Sequence, residues 1–123
     1  KPEKWGIKTH KVYDEQWIAP SGAKLSFEVR AEQANVLTVG IDDHASEVQL
    51  HGKEHWQAIE LSPSDFKDAE SKSMINWKGI KQFRLDDSER IRPPKGSQAK
   101  AKIIGAPWKG TPPKFRNLRW KTD

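Results

Sequence analysis

The sequence predicts an all-β fold, an antiparallel two-sheet β-sandwich with jelly-roll connections, and three observations lead there. Apolar and polar residues alternate over short stretches, the period of a half-buried strand. Turn-forming residues separate those stretches at short intervals, and no segment sustains the 3.6-residue period of an amphipathic helix. The length of 123 residues suits one domain with a thin two-layer core, so residues 1–123 are expected to form a single sandwich.

Taken in order, Gly6–Tyr13 and Gln16–Ile18 offer edge segments. Lys24–Arg30 puts Leu25, Phe27 and Val29 on one face and Lys24, Ser26, Glu28 and Arg30 on the other. Asn35–Ile41 repeats the pattern with Leu37, Val39 and Ile41 inward, and the Glu32–Asn35 interval has hairpin length, so these two strands are expected to pair antiparallel. Glu47–Leu50 is a short strand, followed by the His51-Gly52-Lys53-Glu54 turn and the strand Trp56–Leu61. Pro63 ends that strand by removing a backbone donor, and Ser62 or Ser64 can cap a helical turn through Phe66 and Lys67. Met74, Trp77 and Ile80 have helical spacing, but Gly79 just behind Trp77 favours a tight turn. Lys81–Leu85 is a strand with Phe83 and Leu85 inward. Ile103 and Ile104 mark a weak strand, and Phe115–Lys121 closes the chain with Leu118 and Trp120 on one face.

Trp17 before the first core strand, Leu25-Ser26-Phe27-Glu28-Val29, the Trp56…Ile59-Glu60-Leu61…Asp65-Phe66 segment and the Asn76-Trp77-Lys78-Gly79-Ile80 turn follow one another in a recognisable order. That order resembles the galactose-binding-like jelly-roll β-sandwich domains, among them the complex I intermediate-associated protein type and carbohydrate-binding modules of secreted glycoside hydrolases. The resemblance implies a non-catalytic carbohydrate-binding module of a larger secreted or periplasmic protein, with Phe66 and Trp77 bracing a loop against the sandwich. Many such domains hold a structural calcium; here the last strand has no acidic residue where they often supply a ligand, so no cofactor is expected, with a structural calcium as the alternative.

The absence of cysteine excludes disulfides, thiol nucleophiles and zinc–thiolate sites. No run is apolar and long enough to cross a bilayer, so no membrane insertion is expected. The chain begins at Lys1 without Met and reads as a module of something longer. The net charge of +5 is unevenly spread: residues 1–89 hold 12 Lys/Arg against 16 Asp/Glu, and residues 90–123 hold 10 Lys/Arg against one acid. Such a stretch can attract polyanions, which would favour an acidic polysaccharide as ligand, but these cations are interleaved with Pro93, Pro94, Gly96, Pro107, Gly110, Pro112 and Pro113, and a solvated loop that keeps the domain soluble is the ordinary reading. Nucleic acid is not an expected partner, because no RNP, KH or helix-turn-helix pattern is present.

Six tryptophans supply what sugar recognition needs, since apolar pyranose faces stack on aromatic rings while hydroxyls require planar polar partners. Trp56, Trp77 and Trp120 sit at strand or brace positions and are expected to pack. Trp5, Trp17 and Trp108 lie among Gly, Pro and Lys and are the candidate stacking surfaces, with Asp43, His44 and Arg116 as polar partners at a loop rim; Trp108, between Pro107 and Lys109, serves equally to pin the long C-terminal loop. His51 and His55 fall in a turn, where a separation of four creates no shared face, so no metal site is expected of them. Asp42-Asp43 and Asp86-Asp87 are the pairs suited to hard oxygen coordination. No Gly-x-Ser-x-Gly, phosphate-cradling glycine loop or metalloprotease helix occurs, and the acids scatter, so the chain is not expected to be an enzyme. The alternative to glycan binding is a structural or protein-interaction domain that packs on a neighbouring catalytic domain.

Overall fold

A computed structural model describes residues 6–9 and 18–122, and among them the chain is all-β with antiparallel sheets. Four strands form one sheet in the order β1 (Ile7–Thr9), β6 (Phe83–Asp86), β3 (Asn35–Ile41), β4 (His44–Leu50), and three form a second in the order β5 (Trp56–Leu61), β2 (Lys24–Arg30), β9 (Lys114–Lys121). The two sheets bury one core between them, with Leu25, Phe27, Val29, Ile59 and Leu61 from the three-stranded sheet against Leu37, Val39, Ile41, Val48, Leu50, Phe83 and Leu85 from the four-stranded one. Leu118 and Trp120 of β9 pack against this core as partly buried residues. The period-two alternation thus sorts these side chains inward, as burial of apolar surface requires.

The expected pairing of Lys24–Arg30 with Asn35–Ile41 does not form: β2 pairs with β5 and β9, and β3 with β4 and β6. The short link between β2 and β3 crosses from one sheet to the other. A second crossing, from β4 to β5, lies against it, and the two satisfy each other: Lys53 N–H donates to Glu32 O at 3.2 Å and Glu54 N–H to Ala31 O at 3.1 Å. Gly52 fits this contact because its φ is +77° and a Cβ there would lie 2.4 Å from the Gln33 carbonyl carbon. Interval length alone cannot distinguish a hairpin from such a crossing.

Strand β3 is buried on both faces, which the alternation did not predict. Its outward Thr38 is 0% exposed and Gly40 is also buried, because a ribbon of β7 (Ser88–Ile91) and β8 (Lys102–Gly105) lies over that side of the sheet. Ile91 and Ile104 meet Ala45 there in a second, smaller cluster. Thr38 Oγ1 donates to Asp87 O at 3.0 Å. Arg84 donates through Nε to both Glu89 carboxylate oxygens at 2.9 and 3.0 Å, with side chains only 12% and 8% exposed. This ion pair lies directly on Gly40, where an added Cβ would sit 2.6 Å from Glu89 Oε1.

Candidate functional site

Two surfaces present chemistry. The first is the rim formed by the Phe66–Ile80 segment. Ser62 N–H donates to Asp65 Oδ2 at 2.7 Å and closes a single 3-10 turn, Pro63–Asp65, after β5. Asp68 then accepts the N–H groups of Glu70 and Lys72, both at 2.9 Å, which tightens the following turn. Burial works to raise the Asp68 carboxyl, but those backbone donors outweigh it and hold the group below the usual carboxylate range. Phe66 is fully buried and packs edge-on against Trp77 at 5.6 Å; Trp77 meets Trp120 at 5.1 Å and donates its indole N–H to Ala23 O at 2.7 Å. The brace expected of Phe66 and Trp77 is therefore present.

Over Trp77 lies an apolar depression of about 770 Å³, lined among others by Ile18, Pro20, Pro63, Ile75 and Ile80. It adjoins a second, of about 470 Å³, where Asp43 and His44 face Asn76 and Lys78. Asp42 is not free to serve a ligand here. Its carboxylate accepts Gln82 N–H at 2.9 Å and Lys81 N–H at 3.1 Å, fixing the β3–β4 turn to the strand that follows the rim.

The second surface is the open outer face of the three-stranded sheet. Because Phe27 and Val29 point inward, Lys24, Ser26, Glu28 and Arg30 point out, and the register sets Lys121, Arg119, Arg116 and Lys114 beside them. On the other flank Arg30 faces Trp56, Glu28 faces Ala58 and Ser26 faces Glu60. A register shift between Ser26 and Glu28, with Asn117 at φ 58°, keeps both halves of β9 facing outward. Arg116 donates to Glu28 at 2.9 Å and sits 4.0 Å from the Trp56 ring centroid; Lys121 pairs with Glu60 at 2.7 Å. Hydrogen bonds from Arg116 and Asn117 hold the Glu28 carboxyl below its ordinary range, and Lys121 does the same for Glu60. Both acids are spoken for, while Lys24, Lys114 and Arg119 form no ion pair with a described residue.

The expected site residues that fall among the described ones do not all converge. Trp108 is a correction: it is 5% exposed, belongs to the main core and donates its indole N–H to Thr111 O at 2.7 Å, so its ring is not a stacking platform. It is buried because the loop beside it is pinned. Asn35 Nδ2 donates to Lys109 O at 3.0 Å, and Lys109 N–H donates back to Asn35 Oδ1 at 2.8 Å. That anchor lies at the start of β3, whereas Asp43 and His44 follow its end, a strand length of roughly 20 Å away. Arg116 lies on the sheet face, apart from both. Trp5 and Trp17 fall outside the described residues. His51 and His55 are exposed, and no group of three or more His, Asp or Glu among the described residues is arranged to hold a metal ion. No helix among them is long and apolar enough to cross a membrane. Trp56, expected in the core or half-buried, is half-buried, and its place on this outer face follows from its register with outward Arg30 rather than inward Val29.

No protein-family model matches this sequence, and comparison with curated proteins and with solved structures gives no match either.

Proposed function

We propose that this chain is a non-catalytic binding module of the jelly-roll, galactose-binding-like type, carried by a secreted or periplasmic protein, that holds an acidic polysaccharide across the open face of the three-stranded sheet. One observation carries the reading. Part of the basic C-terminal stretch lies in loops, at Arg92, Lys95, Lys100 and Lys109, but its last part is β9, which aligns Lys114, Arg116, Arg119 and Lys121 on the same face as Lys24, Arg30 and the half-buried Trp56. A row of cations with unsatisfied members on a flat sheet face attracts a polymer that repeats its negative charges. Trp56 adds an apolar surface beside them for a sugar ring. The acids on this face are engaged by its own cations, Glu28 by Arg116, Glu54 by Arg30 and Glu60 by Lys121, which suits a binding surface.

Affinity electrophoresis tests the proposal. Migration should be retarded in gels containing polygalacturonate or dextran sulfate and unaffected by neutral dextran. Retardation by the neutral polymer alone, or by none, rejects it.

A further inference from the structure

We infer that the depression over Trp77 docks an extended acidic peptide segment of another polypeptide, with an aliphatic side chain seated over the indole and carboxylates against Lys24 and Lys78. Three large hydrophobic residues are left exposed among the described ones, and two of them, Ile18 at 62% and Ile75 at 90%, line this one depression. Such clustering of exposed aliphatic residues around a concavity marks a contact surface. Its volume, about 770 Å³, lies in the range of built ligand sites, and its lining is mostly apolar.

Charge selects the occupant. Lys24 and Lys78 are the charged residues among those lining the depression; no carboxylate is present, and neither lysine is in an ion pair with a described residue. An apolar segment bearing Asp or Glu satisfies both the walls and the cations. Shape selects a chain over a compact anion. The first depression shares the wall of Ile75, Asn76, Lys78 and Ile80 with the second, of about 470 Å³, so a chain laid over that wall reaches both; in the second, Asp43 and His44 suit its backbone N–H or hydroxyl groups, with its carboxylates kept to the Lys24 and Lys78 side. A single anionic head with an apolar tail would use only the first part.

The site is held ready rather than assembled on contact. Trp77 is fixed by its hydrogen bond to Ala23 O and by Phe66 and Trp120; Asn76 Oδ1 accepts Lys78 N–H at 3.0 Å and sets the turn that carries both. Preorganisation of this kind lowers the ordering cost of binding.

The test is selection of a random dodecapeptide library, displayed on phage, against the intact chain, with single peptides then measured by fluorescence anisotropy. Enriched peptides should carry Ile, Leu or Val beside Asp or Glu. Their affinity should fall about tenfold or more with Ile75→Asp and with Lys78→Glu, and stay unchanged with Arg119→Ser, which alters only the glycan-binding face. Ile75 and Lys78 are exposed, so both variants should keep the wild-type near-ultraviolet circular dichroism. No enrichment, a basic consensus, or indifference to both rim substitutions overturns the inference. So does binding of dodecanoate at the depression with no peptide selected, which would make it a site for a small amphipathic anion. Loss of polysaccharide binding with peptide binding intact would reject the sheet-face proposal and leave this one standing.

Discussion

The Arg116 guanidinium carbon lies 4.0 Å from the Trp56 ring centroid while Arg116 Nε donates to Glu28 at 2.9 Å. Arg116 is thereby held at the centre of the open sheet face, and it reaches from β9 past β2 to β5. Ala58, which stands opposite Glu28 on β5, is too small to block that reach. The relationship fixes the cation without burying it, which suits contact with a solvated anion.

Replacing Trp56 by Ala removes the cation–π contact and the apolar surface together. The contact is worth about 0.5–1 kcal/mol at an exposed site, so urea denaturation should show a loss near that size and an intact fold. Affinity for an acidic polysaccharide should fall by about tenfold, the measure of a lost stacking ring worth roughly 1–2 kcal/mol.

Trp108→Ala should behave in the opposite way. A buried indole lost from the main core costs about 3–5 kcal/mol, enough to unfold a domain of marginal stability. Thermal unfolding followed by circular dichroism should show the large loss. A folded Trp108→Ala chain with near-native melting would contradict the burial described here.

Arg84→Met leaves Glu89 without its partner beneath the β7–β8 ribbon. Stranding one member of a buried pair costs about 3–5 kcal/mol, whereas Arg84→Met combined with Glu89→Leu should recover much of that. Equilibrium unfolding of the two variants distinguishes the cases. Gly40→Ala should also destabilise, since its Cβ would displace the pair.

Burial, followed by the hydrogen bond and the charge from Asp87, pushes the Asp86 carboxyl up to about 6 from an ordinary 3.8. A raised acid binds its proton in the folded state where the unfolded chain has released it, so its contribution to stability is lost as pH rises from about 4 to about 6 and stays lost above. Asp86→Asn should therefore be more stable than wild type at pH 7, by about 1 kcal/mol once solvent screening is allowed for. The difference should vanish near pH 4. Melting temperatures of both proteins across that range check it, and no pH-dependent difference would contradict the assignment.

The strands facing the core were readable because one face of each is apolar and the other charged, as in Leu25, Phe27 and Val29 against Lys24, Glu28 and Arg30. Sheet membership was not, because a four-residue interval serves equally for a hairpin and for the crossing that Gly52 and Asn35 stabilise. The β7–β8 ribbon left a faint trace: Thr38 and Gly40 are the small, uncharged outward residues of β3 in a chain otherwise generous with charge there. Trp108 stood open between a stacking ring and a pin for the C-terminal loop, because its Pro and Lys neighbours imply exposure while the burial depends on Asn35, more than seventy residues earlier. Arg116 was identified from its charge, but its partners Trp56 and Glu28 follow only from strand register. Asp43 and His44 did reach a common depression, away from Trp108, while Trp5 and Trp17 lie outside the described residues.

The most direct test of the account is calorimetric titration of polygalacturonate into wild-type protein and into the Lys114→Ser/Arg119→Ser variant, at low salt and near 0.15 M salt, where the Debye length shortens to about 8 Å. The wild type should bind at low salt and weaken as salt rises. The variant should be folded and bind about tenfold more weakly or worse, because it lacks the two cations on β9 that form no close ion pair with a described residue. Equal affinity of the folded variant, or wild-type binding that does not respond to salt, would contradict the proposal that this sheet face holds an acidic polysaccharide.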